Sequence, residues 1–428
     1  MKKTSYLIPV LMLALILMLT GCEREEKVEE EQIELTLFTN LTDRNVGQGY
    51  VEQCIIDEYM ERHPNVSINV ESLEEEAYKI RFKACEYDGM PDIFSVWGQP
   101  SFIKEVAEAG MLEPIDIDSI SDYGFVSGAL DGFTYNDNLY GLPRNTDLVG
   151  FYYNKKLFEE NGWKIPKTYE ELLCLCASIR KAGLIPISID GADGWPLAVY
   201  YDNILLNLSG RRRAYVLDTA IESGDFEKDD LIKAMEVLNE TVESAAFERQ
   251  YENKDYGEAM GLFTSGQAVM FYSGSWDSSL AVDLNVPADI RNNIGVFLMP
   301  GFEGHNEEGY VMGWFGGGYS VSSSSQYKEV AMDFLLFMFR KDKLSKYGME
   351  NNLGMAAQNQ SEYVTGKETS VMKTWMNYIN NAGGTSGTPV NDRGSSRYKQ
   401  CFEDNIGKAS GGSMTFEEFD ELLSESCR

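Results

Sequence analysis

Apolar and polar residues recur along the chain with the two periods that predict strands and helices. Residues 33–38 alternate between apolar and polar side chains, as do residues 66–70, and this period of two predicts two strands. Between them, an apolar stripe at helical spacing over residues 51–59 predicts a helix that ends before Pro64. A strand–helix–strand order of this kind implies a right-handed crossover and a mainly parallel sheet.

The same mixture of helices and short strands continues to the end of the chain. Capping boxes at residues 168–171 (TYEE) and 415–418 (TFEE) predict helix starts, residues 185–189 predict a strand, and residues 331–339 predict an amphipathic helix. A chain of 428 residues exceeds one comfortable hydrophobic core. The predicted fold class is therefore α/β, with two lobes.

The N-terminus has the pattern of a secretory signal. Two lysines precede an apolar run over residues 7–19, which is too short to span a bilayer comfortably but fits the core of a signal peptide. The run ends in residues 19–22 (LTGC), which looks like the lipobox of bacterial lipoproteins. We therefore expect residues 1–21 to be a signal peptide and Cys22 to carry a lipid.

An acidic stretch follows the predicted lipidation site. Residues 22–32 have no apolar period, so they predict a solvated tether. No later apolar stretch approaches membrane-spanning length. The lipid alone is thus expected to hold the protein at the extracytoplasmic face of the cell membrane.

Composition narrows the possible partners and chemistry. The 68 Asp and Glu exceed the 37 Lys and Arg, and the resulting net charge of −31 argues against nucleic acid as a partner. Only two histidines occur, so His-based metal sites and His-activated nucleophiles are disfavoured, and neither cofactor nor metal is expected. The six cysteines after Cys22 are too few for a disulfide scaffold and are interpreted as small buried hydrophobes.

Several short motifs follow one another along residues 33–428. They are GMPDI at 89–93, AGMLEP at 109–114, LYGLP at 139–143, YYNK at 152–155, PKTYEELL at 166–173, and FTSGQAVM at 263–270 followed by GSW at 274–276. Any one of them is weak, but their order and spacing make the set strong. The set resembles extracellular solute-binding protein family 1, the sugar-binding lipoproteins of bacterial ABC importers.

This resemblance implies the two-lobed fold of periplasmic binding proteins (type II), with a ligand cleft between lobes joined by hinge segments. It implies an N-terminal lobe of residues 33–145 and 316–370 and a C-terminal lobe of residues 146–315 and 371–428. A carbohydrate would close the lobes, and the closed form would dock on the permease subunits of an ABC transporter. The protein is expected to be a monomer.

Aromatic candidates for the cleft come from this resemblance and from their places in the chain. Sugars present apolar C–H faces beside hydroxyls, so their sites combine flat rings with polar acceptors. Trp276 follows the predicted strand at 268–272, where α/β proteins place ligands, and family members similar to this chain use the matching tryptophan as a stacking platform. Trp195, in a glycine-rich loop with Asp193, and Trp314, beside a predicted crossover, are further candidates.

Polar candidates lie in loops around the predicted hinge. Asp147 precedes the YYNK motif, and in maltose-binding relatives the matching position is a carboxylate that bonds sugar hydroxyls. Trp97 and Gln99 follow the GMPDI strand, where this chain has Gln in place of the relatives' Asp, which argues against a maltose-like ligand. The remaining candidates are Asn40 at the end of the first strand, Arg144 and Asn145 beside Asp147, and Arg393 before the final helices.

Two other classes of function stay open beside a carbohydrate receptor. A secreted glycoside hydrolase would line its cleft with similar aromatics and two carboxylates roughly 5–10 Å apart. A receptor for a non-sugar solute such as a peptide would share the fold. Two conspicuous runs are interpreted structurally: residues 211–213 (RRR) as a solvated face, and residues 316–318 (GGG) as close backbone approach or hinge freedom, because the lysine of a phosphate loop is missing.

Overall fold

The computed structural model describes residues 31–306 and 308–428. The expected signal peptide, Cys22 and most of the predicted tether lie outside the described residues. Within the described range, no helix is both long and apolar enough to cross a membrane.

Short strands and helices alternate along the chain, as the sequence predicts. The strands are β1 (Ile33–Thr39), β2 (Val66–Ser72), β3 (Ile93–Trp97), β4 (Thr134–Tyr135), β5 (Asn138–Leu139), β6 (Leu142–Pro143), β7 (Asn145–Asn154), β8 (Ile185–Ser188), β9 (Ala268–Gly274), β10 (Ile294–Phe297), β11 (Tyr310–Val311), β12 (Gly313–Phe315), β13 (Gly317–Val321), β14 (Met355–Ala356) and β15 (Gly384–Thr385). The helices are α1 (Gly47–Arg62), α2 (Glu75–Asp88), α3 (Glu105–Glu108), α4 (Lys155–Asn161), α5 (Tyr169–Lys181), α6 (Trp195–Ser209), α7 (Arg213–Ser223), α8 (Asp229–Glu243), α9 (Tyr256–Thr264), α10 (Ala288–Arg291), α11 (Lys328–Phe339), α12 (Leu344–Glu350), α13 (Ser370–Asn381), α14 (Ser396–Ser410) and α15 (Phe416–Ser426).

Local sequence signals explain where several helices begin. The hydroxyl of Thr168 accepts the backbone N–H of Glu171 at 3.2 Å, and that of Thr415 accepts the backbone N–H of Glu418 at 3.2 Å. Each contact satisfies an N–H group that the first helical turn leaves without an intrahelical partner. Both predicted helix starts are therefore confirmed.

The first sheet organises one lobe and has the strand order β2-β1-β3-β13-β6. β1 lies parallel to β2, with Leu35 opposite Ile68, and the apolar stripe over residues 51–59 of the intervening helix is buried in the same core. The predicted strand–helix–strand unit is confirmed. β13 runs antiparallel to β3 and β6, so the sheet is mixed beyond that unit.

The second sheet organises the other lobe around the order β10-β7-β9-β8. Its strands contribute side chains to an apolar core on each face of the sheet, because successive side chains of a strand point to opposite sides. Met270 and Tyr272 of β9 belong to one core, whereas Phe271 between them belongs to the other. A sheet buried on both faces explains the unbroken apolar run of β9.

The chain passes between the two sheets at residues 143–145, 315–317 and 353–355. At these crossings β12 and β14 pair with the first residues of β7, so that Phe315 and Met355 both lie opposite Thr146. We call β12, β14 and residues 145–148 the hinge ribbon. Backbone hydrogen bonds thus join the segments that connect the lobes.

The glycine run at 316–318 lies in this crossing region. A Cβ atom on Gly316 would lie 2.4 Å from Oδ2 of Asp147, and one on Gly317 would lie 2.6 Å from Nη2 of Arg144. Both distances are far below van der Waals contact. The predicted close approach of the backbone is confirmed, and the atoms it approaches belong to two candidate site residues.

The arginine run at 211–213 behaves differently from the prediction. Arg211 and Arg212 are exposed, but Arg213 is only 1% exposed and forms a buried ion pair with Asp202. Its guanidinium also donates to the carbonyl of Ser386 at 2.8 Å. The prediction of a solvated face is wrong for Arg213, because this side chain joins α6 and α7 to the segment that leads to α14.

The cysteines are buried less uniformly than expected. Cys85 and Cys176 are buried, Cys174 is exposed, and Cys54, Cys401 and Cys427 are half-buried. All six described cysteines are free thiols. The interpretation as buried hydrophobes therefore holds for two of them and is wrong for Cys174.

Candidate ligand-binding site

Four aromatic side chains lie side by side at the edge of the second lobe. The ring centroids of Trp195 and Trp276 are 5.9 Å apart with planes at 59°, and those of Trp276 and Trp314 are 6.0 Å apart at 54°. Tyr256 is stacked on Trp195 at 5.6 Å. We call these residues the aromatic row. All three tryptophans are only partly buried, so ring surface remains available to a ligand.

The aromatic row lies where two parallel strands end. β8 and β9 are parallel, with Ser188 opposite Phe271, so their carboxyl ends reach the same edge of the sheet. Trp276 comes directly after β9, and Trp195 begins α6 after the loop that follows β8. This edge is where open α/β sheets bind ligands. The structure thus brings together Trp276 and Trp195, as the sequence predicts.

Trp314 joins the aromatic row to the hinge ribbon. It lies in β12 directly opposite Asp147 of β7. Side chains of directly opposed residues in an antiparallel pair point to the same face of the sheet. Asp147 and Trp314 therefore face the same side, on which Trp314 contacts Trp276.

Asp147 is a buried carboxyl group with unused acceptor capacity. Its side chain is 5% exposed, and within the described structure its Oδ1 has no hydrogen-bond partner. Burial raises the pKa of Asp147 to about 7, the nearby Arg144 guanidinium opposes this rise, and the negative charge of Glu75 adds to it. A buried acceptor without a partner is costly, so a ligand hydroxyl that donates to it would remove that cost.

Arg144, which follows the edge strand β6 of the first sheet, contacts Asn40, which follows β1. The Arg144 guanidinium donates from Nη1 to the hydroxyl of Tyr319 at 3.1 Å and from Nη2 to Oδ1 of Asn40 at 3.4 Å. Its Nε has no partner among residues 31–306 and 308–428. This arrangement fixes a positive charge next to Asp147.

Asn145 lies on the hinge ribbon but turns to another neighbour. Its Nδ2 donates to Oε1 of Gln48 at 3.3 Å, across the junction between β7 and α1. Asn145, Arg144 and Gln48 line a cavity of about 20 Å³, which is large enough for a water molecule but not for a sugar. The contacts of Asn145 therefore belong to the hinge.

The first lobe contributes Trp97 and Gln99. Trp97 ends β3 opposite Gly317, which places it beside the crossing region, and Lys79 lies 5.6 Å above its ring. Gln99 is 2% exposed, and its Oε1 is a second acceptor that the described residues leave without a donor. Trp97 of the first lobe thus reaches the same crossing as Asp147, and Gln99 follows it by two residues.

Asp193 belongs to an acid pair in the loop before α6. The backbone N–H of Asp193 donates to Oδ1 of Asp190 at 2.9 Å, and Asp190 is 1% exposed. Burial, together with the hydrogen bond to the neighbouring Asp193 carboxyl and its negative charge, raises the pKa of Asp190 to about 9. Both burial and the neighbouring acid therefore favour the protonated form of the Asp190 carboxyl.

Arg393 stands apart from the aromatic row in its contacts. Its Nε donates to Oδ1 of Asp218 at 2.9 Å, and its Nη1 donates to the carbonyl of Thr388 at 3.2 Å. These partners belong to α7 and to the segment before α14. The structure therefore does not bring Arg393 together with the other candidates.

The two lobes also touch each other directly. The Ser101 hydroxyl donates to Oδ1 of Asp392 at 2.6 Å, and the backbone N–H of Ser396 donates to Oε1 of Glu105 at 2.8 Å. Ser101 and Glu105 follow β3 of the first sheet, whereas Asp392 precedes α14 and Ser396 is its first residue. These contacts join the lobes on the side of the molecule where Trp97 and Gln99 lie.

The sequence did not identify several residues that lie near these candidates. They are Tyr256, Asp277, Asp190 and Lys79. For Tyr256, the capping box of Asp255 and Glu258 marks the helix start but does not show which way the ring points. Asp190 lies in the same glycine-rich loop as Asp193, and this loop was the available signal.

The described part of the chain has no group of three or more His, Cys, Asp or Glu side chains placed to hold a metal ion. What the arrangement offers is flat aromatic surface next to buried acceptors, in a crossing region between two lobes.

A two-lobed α/β chain with open aromatic rings beside a buried carboxyl group at its hinge has the architecture of a solute-binding protein. Residues 45–343 match the family described as bacterial extracellular solute-binding protein, and the chain belongs to this family. The resemblance drawn from the short motifs is thereby confirmed.

Individual relatives agree with this assignment. The chain is 23% identical over 300 residues to a multiple sugar-binding protein of Streptococcus mutans, which covers 68% of this chain and 69% of that one. A structure from work on xylan utilization by the thermophilic bacterium Caldanaerobius polysaccharolyticus is 25% identical, with a TM-score of 0.83, and covers 92% of this chain and 99% of its own. A chitin oligosaccharide binding protein gives a TM-score of 0.81 at 20% identity, with 92% and 98% coverage. The predicted two-lobed type II fold is confirmed.

Proposed function

We propose that this protein captures a carbohydrate, a mono- or oligosaccharide, and delivers it to an ABC importer. The observation that carries the proposal is the aromatic row beside Asp147, which lies opposite Trp314 and whose buried Oδ1 lacks a donor in the described structure. Oε1 of Gln99 in the first lobe is a second buried acceptor without a donor among the described residues. Sugars supply both complements, because their C–H faces stack on aromatic rings and their hydroxyls donate hydrogen bonds. Peptides and inorganic ions match this combination less well.

Energetics are consistent with useful affinity from a small number of contacts. A hydrogen bond to a charged group contributes on the order of 1.5–3 kcal/mol. A micromolar dissociation constant requires about −8 kcal/mol in total. One or two stacked rings and a few hydrogen bonds to Asp147 and its neighbours are therefore sufficient.

Closure of the lobes is the second part of the proposal. A ligand shifts an open–closed equilibrium only through contacts that differ between the two states. Trp97 and Gln99 from the first lobe and Trp195 and Trp276 from the second would contact the same sugar only when the lobes are closed. The direct contacts between the lobes would then add to the closed state that the permease recognises.

Names of relatives support a sugar as the ligand. The S. mutans relative is named for binding multiple sugars, and the chitin oligosaccharide protein is named for an oligosaccharide. We extend the proposal to binding without turnover, with no catalytic residue assigned. We also propose that Cys22 is lipidated and that the mature protein acts as a lipid-anchored monomer outside the membrane.

A thermal-shift screen tests this function. The protein would be heated with xylotriose, chitotriose, maltotriose and raffinose, and separately with a tripeptide and with zinc chloride. Ligands that bind the native state raise Tm. At least one sugar is expected to raise Tm; a response to the tripeptide or to zinc alone would reject the proposal, and release of reducing sugar on longer incubation would reject binding without turnover.

A further inference from the structure

Tyr256, the first residue of α9, contacts two tryptophans of the aromatic row at once. Its ring is stacked on Trp195, with centroids 5.6 Å apart and planes only 22° apart. Its hydroxyl oxygen accepts the indole N–H of Trp276 at 2.6 Å. A single side chain therefore fixes the relative positions of two rings that also contact each other.

Donor and acceptor chemistry sets the direction of the hydrogen bonds around Tyr256. An indole N–H can only donate, so the Tyr256 hydroxyl accepts from Trp276 and keeps its own proton for another acceptor. That acceptor is Oδ2 of Asp277, which also accepts the hydroxyl of Ser273 at 2.5 Å. The chain of hydrogen bonds thus runs from Trp276 through Tyr256 and ends on a carboxylate.

The indole of Trp276 is also held from behind. A Cβ atom on Gly274 would lie 2.1 Å from the six-membered ring of Trp276, so the indole lies directly against the Gly274 backbone. Packing on this side limits how far the ring can move toward the sheet. The hydrogen bond at its N–H then determines how it is turned relative to Trp195.

We propose that Tyr256 and Asp277 are positioning residues for ligand binding, which set the angle between Trp195 and Trp276 through this hydrogen-bonded chain. The inference rests on the proposed function, since it takes the two tryptophans as the sugar platform. Two rings tilted by 59° cannot both lie against one flat face of a sugar ring. A change in the tilt therefore changes which ligand shapes can stack on both rings.

The charge of Asp277 makes this positioning dependent on pH. Burial raises the pKa of Asp277 to about 6, although the hydrogen bonds from Ser273 and Tyr256 oppose the rise. The titratable groups that face it are Tyr256 from α9 and Tyr152 from β7, and burial raises the pKa of each tyrosine well above its usual value of 10. A protonated carboxyl is a weaker acceptor, so the hydrogen bonds that link Trp276 through Tyr256 to Asp277 weaken below about pH 6.

The first test measures the ligand-free protein, by near-ultraviolet circular dichroism of the stacked aromatic rings. Y256F keeps the ring and removes the hydroxyl, and D277N removes the charge. Y201F is the matched control, because Tyr201 is also buried in the second lobe and its hydroxyl donates to the carbonyl of Leu231 at 3.0 Å. We expect Y256F and D277N to change the tryptophan bands and Y201F to leave them unchanged.

The pH dependence of the same bands adds a readout that loss of stability alone would not produce. In the wild-type protein the bands are expected to titrate with a midpoint near pH 6, and in D277N this titration is expected to be absent. Y256F cuts the link between Trp276 and Asp277 while keeping both tryptophans, and it is expected to abolish the titration as well, so the claim remains testable if D277N does not fold. Superimposable spectra of Y256F and wild type, or a titration with a midpoint near pH 6 that persists in D277N or Y256F, would overturn the proposal.

The second test measures affinity for xylotriose, chitotriose and maltotriose by calorimetry. Y256F and D277N are expected to weaken the sugar that binds best by at least tenfold, whereas Y201F is expected to change its affinity less than twofold. Equal affinity of Y256F and wild type would overturn the positioning role. If no sugar binds the wild-type protein, the proposed function fails, while the spectroscopic comparison still decides whether Tyr256 and Asp277 position the two tryptophans.

Discussion

Trp314 lies directly opposite Asp147 in the antiparallel ladder between β12 and β7. This pairing places a partly exposed ring and a buried carboxyl group on the same face of the strands that cross between the lobes. Trp314 in turn contacts Trp276 of the aromatic row, with ring centroids 6.0 Å apart. A ligand on the aromatic row would thus lie next to the hinge ribbon, and any movement of the hinge would alter its contacts.

Asp147 gives the first prediction, a pH dependence of ligand affinity. Ligand hydroxyls would donate to the ionised carboxylate, and burial raises the pKa of Asp147 to about 7 in the free protein. Below about pH 7, binding must therefore release a proton from Asp147. Affinity should fall by up to about tenfold for each unit by which the pH is lowered below 7. Calorimetry between pH 5.5 and 8.5 measures this change.

The control for that experiment is D147N, which preserves shape and removes the charge. It should bind more weakly at pH 8 and lose the part of the pH dependence that is centred near 7. Any change caused by Asp277, whose pKa is about 6, should remain in this variant. An unchanged pH profile in D147N would remove Asp147 from the ligand site.

Buried carboxyls give the second prediction, a loss of stability as pH rises. Burial raises the pKa of Asp190 to about 9 and that of Glu248 to about 7, well above the values near 4 of an unfolded chain. The folded state therefore holds more protons than the unfolded state between about pH 5 and 9, so the free energy of unfolding falls as pH rises through this window. Tm measured from pH 6 to 9 should decrease, and D190N should flatten the upper part of the curve. A Tm that rises over this window would contradict the expectation.

Arg213 gives the third prediction, on stability. R213M leaves the carboxylate of Asp202 buried without its partner, and breaking a buried ion pair in this way costs about 3–5 kcal/mol. R211M is the matched control, because Arg211 is 72% exposed and should change the free energy of unfolding by less than about 0.5 kcal/mol. Urea denaturation measures both, and equal stability of the two variants would refute the structural role of Arg213.

Cys22 gives the fourth prediction, on anchoring. C22A should leave a precursor that is neither lipidated nor cleaved, because the thiol that would take the lipid is missing. Mass spectrometry of the membrane fraction compares it with the wild-type chain. A processed protein that is still retained on the membrane in C22A would contradict the lipobox interpretation.

Much of the fold could be predicted from local signals. The period-two runs of β1 and β2 and the capping residues Thr168 and Thr415 depend on neighbours within a few positions, so the sequence shows them directly. Trp276 could be placed at a strand end for the same reason. These features need no knowledge of which distant segments meet.

Other features depend on contacts between distant segments and could not be predicted. Tyr256 meets Trp195 across 61 residues, and Ser101 meets Asp392 across 291. The burial of Arg213 depends on the Ser386 carbonyl, far along the chain, so the basic run alone suggested solvent. The sequence could therefore show that two candidates share one site only where both follow neighbouring strands.

The central claim, capture of a sugar on the aromatic row, is tested most directly by calorimetric titration of the wild-type protein and W276A with the sugar that raises Tm most. W163A serves as the matched control, since Trp163 packs against Phe158 outside the row, with centroids 6.0 Å apart. We expect micromolar or tighter binding by the wild-type protein and by W163A, and at least tenfold weaker binding by W276A. Equal affinity of W276A and wild type, or no binding of any sugar by the wild-type protein, would contradict the claim.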